Sequence, residues 1–389
     1  MTNLTLETYR QQFPALVNKA YFNYGGQGPL PQISLDAIYK SYEEVQQKGP
    51  FSGEAGSWVT EASSLLRDCM ARELGVSPET ITITENVTFG CNIALWGIDW
   101  QAGDAVLLSD CEHPGVIAAI QELQRRFQLE VSMCPLKETL NQGDPVSVIK
   151  AHLQPKTRLL VISHILWNTG QVLPLDEIVK CCHQHQHGKV RVLVDAAQSV
   201  GVLPLNLTAS AVDFYAFTGH KWWCGPEGLG GFYISPEALT ALSPTYMGWR
   251  GIDYDQTGNP VNWKPDARRY EIATSAYPLY TGLRRSIQLH HDWGTIEERY
   301  QKICDLSQYL WEGLSELSHV DCLRTSPPEA GLVSFKLTNG LAHKATVEAL
   351  EKQNIFVRTI SNPDCIRACV HYFTAPSEID KLVDAIANL

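Results

Sequence analysis

A chain of 389 residues with 44% hydrophobic and 19% charged side chains has an ordinary globular balance, which excludes a disordered chain and leaves room for two or three domains. A formal net charge of -11 gives no broad basic surface for a phosphate backbone, so nucleic-acid binding is not expected. Apolar runs such as Leu159–Ile162 and Val192–Val194 are too short to span a bilayer, MTNLTLETYRQQFP lacks the pattern of a secretory leader, and eleven irregularly spaced cysteines read as free thiols; a soluble, cytoplasmic protein away from membranes is expected.

Taken in chain order, helical periodicity fits Glu54–Leu74, a strand fits Thr80–Thr84, and a helix from Thr88 runs to Trp96. Ala105–Leu108 reads as a buried strand, Val116–Phe127 as a helix, Arg158–Ser163 as a strand and Asp176–His185 as a helix. Val190–Val194 and Phe214–Thr218 read as two more strands. Short apolar runs separated by amphipathic helices predict a mostly parallel, doubly wound α/β sheet. Beyond Trp249 the pattern changes. Arg250–Arg268 is polar and loop-like, and a long helical run with breaks covers Thr281–Ser318. Strand-like pieces (Gly331–Leu337, Ile366–Tyr372) then alternate with helices (Ala345–Lys352, Glu378–Ala387), as in a smaller α/β domain with which the N-terminal segment packs.

The chemistry gathers at strand ends. VRVLVDAAQ is an apolar strand ending at Asp195, and ligands of open α/β sheets sit beyond such carboxyl ends. Taken alone, Asp195 reads more readily as a residue capping a turn. The next strand ends in Thr218-Gly219-His220-Lys221, followed by WWCGPEGLGG. A lysine amine and a carboxylate at neighbouring strand ends are what pyridoxal 5′-phosphate (PLP) needs: an amine for the imine, and an acid partner that keeps the pyridine nitrogen protonated. Thr84–Asn92 is a turn entering a helix, where free N–H groups and the helix dipole favour phosphate; an ordinary helix cap by Asn86 or Thr88 is the other reading. An arginine inside the apolar strand CIRACVHYF, Arg367, calls for an anionic partner.

DAAQ at 195–198 with FTGHKWWCGPEGLGG at 217–231 resembles the class V aminotransferase family of fold-type I PLP enzymes over nearly the whole chain. The resemblance implies a large PLP-binding domain with a mostly parallel, seven-stranded-type sheet (16–284) and a small α/β domain (1–15 and 285–389). It implies a Schiff base on Lys221, Asp195 on the pyridine nitrogen and Gln198 at the ring 3-oxygen. Asn86, Val87, Thr88, Thr218 and His220 would hold the phosphate, and His113 would stack on the ring. Asn168 would line its far side, with Trp167 one position away as the alternative. Arg367 would clamp the substrate carboxylate, with Arg358 as a second candidate, and Trp249 and Tyr280 would be pocket walls. Thr274, in RYEIATS, would reach the neighbouring subunit's phosphate, which implies a homodimer with shared active sites.

Two further signals carry less. Cys181–His187 (CCHQHQH) looks like a metal cluster, but histidines at a helix C-terminus suit the dipole, and no metal is expected. His290 and His291 fall on a helical stretch and are expected to be exposed. For the reaction, the segment from Arg358 to Arg367 is only RTISNPDCIR. Desulfurases of the family carry an extended loop there with a mobile cysteine, whereas Cys365 lies in or beside a strand. The expected reaction is β-elimination at a C–S bond of an amino-acid substrate, cystine or cysteine, giving pyruvate, ammonia and a persulfide or sulfide, with a sulfur acceptor and supply to iron–sulfur clusters as its setting. The alternatives are desulfuration or selenocysteine lysis to alanine, transamination or epimerisation, and, in another class, a sulfur-carrier role in iron–sulfur assembly.

Overall fold

The computed structural model describes residues 5–389. The first strand, β1 (Ala20–Tyr21), is short and pairs with a strand from the far end of the sequence. A large sheet follows, from β2 (Ile81–Thr84), β3 (Ala105–Ser109), β4 (Glu130–Cys134), β5 (Thr157–Ser163), β6 (Arg191–Asp195), β7 (Phe214–Thr218) and β8 (Gly230–Ile234). Its order is β2-β8-β7-β6-β5-β3-β4. The pairs from β7 through β4 are parallel, and β8 runs against both of its neighbours. Because β2 and β7 both oppose β8, β2 points the same way as the parallel strands. Two apolar cores flank this sheet, one containing Leu160, Ile162 and Val194, the other Val106, Val161 and Phe214. Strands covered on both faces read as unbroken apolar runs, which is why β5 and β6 stand out in the sequence.

The hairpin of β9 (Ile252–Tyr254) and β10 (Pro260–Trp263) replaces the expected loop over 250–268. All four residues of β10 are exposed, so no apolar alternation marks it, and a proline opens it. β4 is an edge strand with only Cys134 buried, and it carries no apolar run either. The expected helix over 281–318 is two helices, Pro278–Trp293 and Ile296–Ser315. They break at Gly294, after which Thr295 and Glu298 form a reciprocal capping box.

The second sheet comprises β11 (Val320–Cys322), β12 (Leu332–Leu337), β14 (Arg358–Ser361) and β15 (Asp364–Cys369), all antiparallel in the order β11-β12-β15-β14. β13 (Ile355–Phe356) pairs in parallel with β1. Ala20 and Phe22 share one apolar core with Ile355 of β13, Ile366 of the second sheet and Leu382 of the helix Pro376–Ala387. Among the described residues, no helix is long and apolar enough to cross a membrane.

Candidate active site

Five loops leave the carboxyl edge of the large sheet side by side. They carry Asn86–Thr88 after β2, Glu112–His113 after β3, Trp167–Asn168 after β5, Asp195–Gln198 after β6 and Thr218–Lys221 after β7. The strand order reverses between β3 and β5, where open α/β sheets place their ligands. Residues scattered over 136 positions of sequence therefore share one rim.

Lys221 sits in a tight turn closed by Cys224 N–H donating to Lys221 O at 3.0 Å. The N-terminal segment lies directly on it: Gly28 N–H donates to His220 O at 2.8 Å, and a Cβ at Gly28 would fall 2.0 Å from Lys221 O. Only glycine permits that approach. Burial pushes the Lys221 amine down to about 8; Asp195 opposes this, while Arg367 and Arg358 add to it. A lysine so placed presents far more neutral, nucleophilic amine near neutral pH than a solvated lysine does. Asp195 is buried, and its Oδ1 accepts from Ala197 N–H at 3.0 Å.

Beside Asp195, across the β5–β6 register at Ser163, lies a second buried carboxyl, Glu112. Its Oε1 accepts from Ser163 N–H at 3.0 Å and from the Ser109 hydroxyl, and its Oε2 meets Ser163 Oγ at 3.0 Å. Burial pushes it up to about 8, partly offset by the Ser109 and Ser163 donors, and Asp195 raises it further. His113 follows and caps the helix Pro114–Phe127, its Nδ1 accepting from Gly115 N–H at 3.1 Å. That leaves the proton on Nε2. Its ring stands 5.7 Å from that of Trp167, edge to face, and burial holds its pKa below the usual imidazole range, with Lys221 and Arg358 adding to this.

Trp167 and Asn168 divide their work. Trp167 meets His113, while Asn168 turns towards β14–β15, donating from Nδ2 to Asn362 O at 3.0 Å. Thr218 Oγ1 and His220 Nδ1 are 2.6 Å apart, and burial lowers the His220 pKa. Asn86 caps the helix Val87–Gly97 by accepting from Phe89 N–H at 3.0 Å, so its side chain is engaged. The N–H groups of Val87 and Thr88 have no partner among the described residues. Gln198 is fixed at both ends: Nε2 donates to Gly25 O and Oε1 accepts from Trp222 Nε1, each at 2.9 Å. One N–H of its amide remains free.

Arg367 on β15 stands opposite Arg358 on β14. Directly paired residues of antiparallel strands project to the same side, so two guanidinium groups face one way, with no salt-bridge partner among the described residues. Arg367 is 1% exposed; Nη1 donates to Trp167 O at 2.6 Å, while Nε and Nη2 have no partner among the described residues. A Cβ at Gly25 would lie 2.9 Å from Arg367 Nη2 and 3.0 Å from Gln198 Oε1, so this glycine keeps the space beside the guanidinium open. Asn168 Oδ1 and Trp167 Nε1 are likewise buried without partners. Uncompensated buried donors are costly, and a carboxylate ligand would satisfy those of Arg367.

Thr274, Trp249 and Tyr280 do not join this cluster within one chain. Glu271 anchors their region through Arg67 Nη2 (2.6 Å) and Arg250 Nη2 (3.1 Å), and Thr274 and Trp249 line an exposed groove with Phe51, Arg250 and Tyr277. Tyr280 is buried in the core against Tyr277. His290 corrects an expectation: it is 1% exposed, because the helix Pro278–Trp293 runs through the interior with both imidazole nitrogens hydrogen-bonded. His291 is partly buried against Glu73. Sequence reasoning missed Glu112, Gly25 and Gly28. The glycines were signalled by Tyr24-Gly25-Gly26-Gln27-Gly28, a run that invites close backbone approach.

The donor set fits PLP: an amine at Lys221, a carboxylate at Asp195, free first-turn N–H groups at Val87 and Thr88, and a histidine ring at His113. Comparisons with known proteins agree. Two solved structures of the cystine C–S lyase C-DES share 53% identity and a TM-score of 0.96 with this chain. One is a lysine-to-alanine mutant with glycine covalently linked to its PLP cofactor, covering 98% of this chain and 99% of that one. The other is a complex with the reaction product cysteine persulfide, covering 97% and 100%. Isopenicillin N epimerase of Streptomyces clavuligerus is 27% identical, covering 97% of this chain and 95% of its own length. The sequence model of the aminotransferase class-V family matches residues 20–381, and the chain belongs to that family.

Proposed function

We propose that the protein is a PLP-dependent carbon–sulfur lyase that converts L-cystine and water to pyruvate, ammonia and cysteine persulfide, and L-cysteine to pyruvate, ammonia and sulfide. PLP, when bound, supplies an electron sink for the pair left on the substrate α-carbon. Lys221 Nζ is the amine that would hold the cofactor and the base that would take the proton from the substrate Cα. Asp195 would keep the proton on the pyridine nitrogen. The Val87 and Thr88 N–H groups, with Thr218 and His220, would take the phosphate, Gln198 would meet the 3-oxygen, and His113 would cover the ring. Arg367 forks onto the α-carboxylate; Arg358, facing the same way, suits the second carboxylate of cystine. Persulfide leaves from Cβ as a better anion than a thiolate, and so needs less protonation on departure.

The observation that carries elimination over desulfuration is the position of Cys365. A two-residue turn, Asn362-Pro363, joins β14 to β15, and Cys365 is the second residue of β15, paired with Ile360. Burial pushes its thiol up to about 12. A thiol held protonated on a strand is a poor nucleophile and cannot swing to a substrate sulfur. The 53% identity to a cystine C–S lyase supports the same reading.

A homodimer with shared sites accompanies this proposal. It is supported by the exposed Phe51, Trp249 and Thr274 around one groove, where a partner's Thr274 would reach the phosphate. A cytoplasmic setting, with released persulfide passed to an acceptor for iron–sulfur clusters, completes the reading. The test is product analysis of PLP-loaded protein with L-cystine. Pyruvate and ammonia in equal amounts without alanine are expected; alanine with a protein-bound persulfide would make it a desulfurase.

A further inference from the structure

The two residues that follow Lys221 are tethered to an unusual degree. Trp222 is held at its indole, whose Nε1 donates to Gln198 Oε1 at 2.9 Å, and at its carbonyl, which accepts from His371 Nε2 at 2.9 Å. Trp223 is held at its indole by Glu73 Oε2 at 3.2 Å, and at its carbonyl by His290 Nε2 at 2.9 Å and by Ser286 Oγ. The turn ends at Cys224, which is left-handed at φ 52, a conformation a non-glycine residue keeps only where its surroundings dictate it.

The hydrogen-bond directions behind these tethers can be assigned. A carbonyl only accepts, so each imidazole carries its proton on Nε2. His371 Nδ1 then accepts from its neighbour, Tyr372 N–H, at 3.1 Å. His290 Nδ1 accepts from the Tyr372 hydroxyl, which in turn accepts from the hydroxyl of Tyr9. The two imidazoles stack at 5.5 Å and 20°. Tyr9, His290, His371 and Tyr372 are all at most 1% exposed, and burial pushes His290 down to about 3 and His371 well below the usual imidazole range. Nearby Arg299 is charge-compensated by Glu73 at 2.9 Å. None of these residues belongs to the rim described above. Together they join the N-terminal helix (Leu6–Arg10), the helix Pro278–Trp293 and the segment after β15 to one backbone turn.

The geometry points to His290 and His371 as positioning residues that set the direction of Lys221 Nζ by gripping the carbonyls of Trp222 and Trp223, with Tyr372 and Tyr9 fixing the tautomer of His290. The inference rests on Lys221 being the residue that holds PLP. Without the imidazoles the Trp222 carbonyl would be buried and unpaired, and the Trp223 carbonyl would keep only Ser286 Oγ. The paired neutral imidazoles satisfy both carbonyls and also hold the turn from two elements, the helix Pro278–Trp293 and the segment after β15.

Borohydride reduction of the PLP-loaded protein, with mapping of the label, comes first; a label anywhere but Lys221 overturns the underlying reading. Next, the pH midpoint of the cofactor's absorbance change is measured in His290→Leu, His371→Leu and their Gln counterparts. A Gln amide places a donor where imidazole Nε2 stood. The Leu variants are expected to shift the midpoint by about half a unit or more and to lower kcat about ten- to a hundredfold with KM changed far less, as misplacement of a reacting group does. The Gln variants should restore the midpoint. Leu variants that melt earlier but keep the wild-type midpoint and kcat would reduce the histidines to ordinary core residues and overturn the proposal. Should the Leu variants fail to fold, Tyr372→Phe, which removes one hydroxyl and no packing, decides: a shifted midpoint supports the grip, and an unchanged one overturns it.

Discussion

Two cationic centres face the candidate site, and they are built on opposite principles. Lys221 stands at the end of a parallel sheet whose other loops deliver a carboxylate, Asp195, to the same rim. The carbonyls of His220, Lys221, Trp222 and Trp223 in its turn all accept hydrogen bonds. Arg358 and Arg367 stand across from each other on antiparallel strands with like charge and no acidic partner among the described residues, and two of the Arg367 nitrogens are left over. The first centre is finished before any substrate arrives. On the proposed reading, the second acquires its counter-charge from what it binds. A covalent anchor needs a fixed direction and a tuned pKa, whereas a carboxylate clamp gains by leaving its strongest donors unsatisfied until the ligand is in place.

Substitutions can break this comparison at either centre. Lys221→Ala should give the largest effect, a loss of about a thousandfold or more in pyruvate formation from cystine, with the thermal midpoint nearly unchanged. Near-normal turnover would remove Lys221 from the chemistry. Arg367→Leu should raise KM about a hundredfold, the scale of a buried charge-assisted pair, with a smaller change in kcat. An unaltered KM would mean the carboxylate binds elsewhere. Arg358→Leu should weaken cystine about tenfold and cysteine less, yet stabilise the cofactor-free protein by up to about 1 kcal/mol in chemical denaturation, because like charges opposed across strands repel. The same variant sharpens the Lys221 side. Capture of PLP by the cofactor-free protein should rise with pH through about 8 as Nζ loses its proton, and removing a nearby positive charge should move that midpoint upward. The smallest effect is expected at Glu112. Its pKa is raised in the folded chain to about 8, so its contribution to stability is complete below the ordinary carboxyl range and is lost as pH rises through about 8. Glu112→Gln should flatten that decline in a pH series of denaturation curves; an unchanged slope would refute the assignment.

Much of the large sheet could be read from the chain because β3, β5, β6 and β7 are buried on both faces and therefore appear as unbroken apolar runs. Asp195 and Lys221 could be found because a charged residue ending such a run is conspicuous. β4, with four of five residues at least partly exposed, and the exposed β10 lack that contrast and left no comparable trace. Glu112 stayed hidden because its partners, Ser109 and Ser163, come from two strands whose adjacency only the sheet order reveals. His290 was misread for a related reason. A histidine on a helix looks exposed until a carbonyl 67 residues away and a tyrosine 82 residues away are seen to meet both of its nitrogens. Periodicity records burial by apolar neighbours; it is silent on polar groups buried in pairs.

The cysteines acquire a different meaning once the product of the proposed reaction is considered. A persulfide hands its outer sulfur to any thiolate it meets, so a protein releasing one is exposed to its own cargo. None of the eleven cysteines is fully exposed. Burial raises the thiol pKa at Cys69, Cys91, Cys111, Cys134, Cys182 and Cys224 as well as at Cys365, holding them as protonated, sluggish nucleophiles. Packing that serves the core thus doubles as chemical insulation at these seven positions: on the proposed reaction, released sulfur would meet there thiols held in the wrong ionisation state to intercept it.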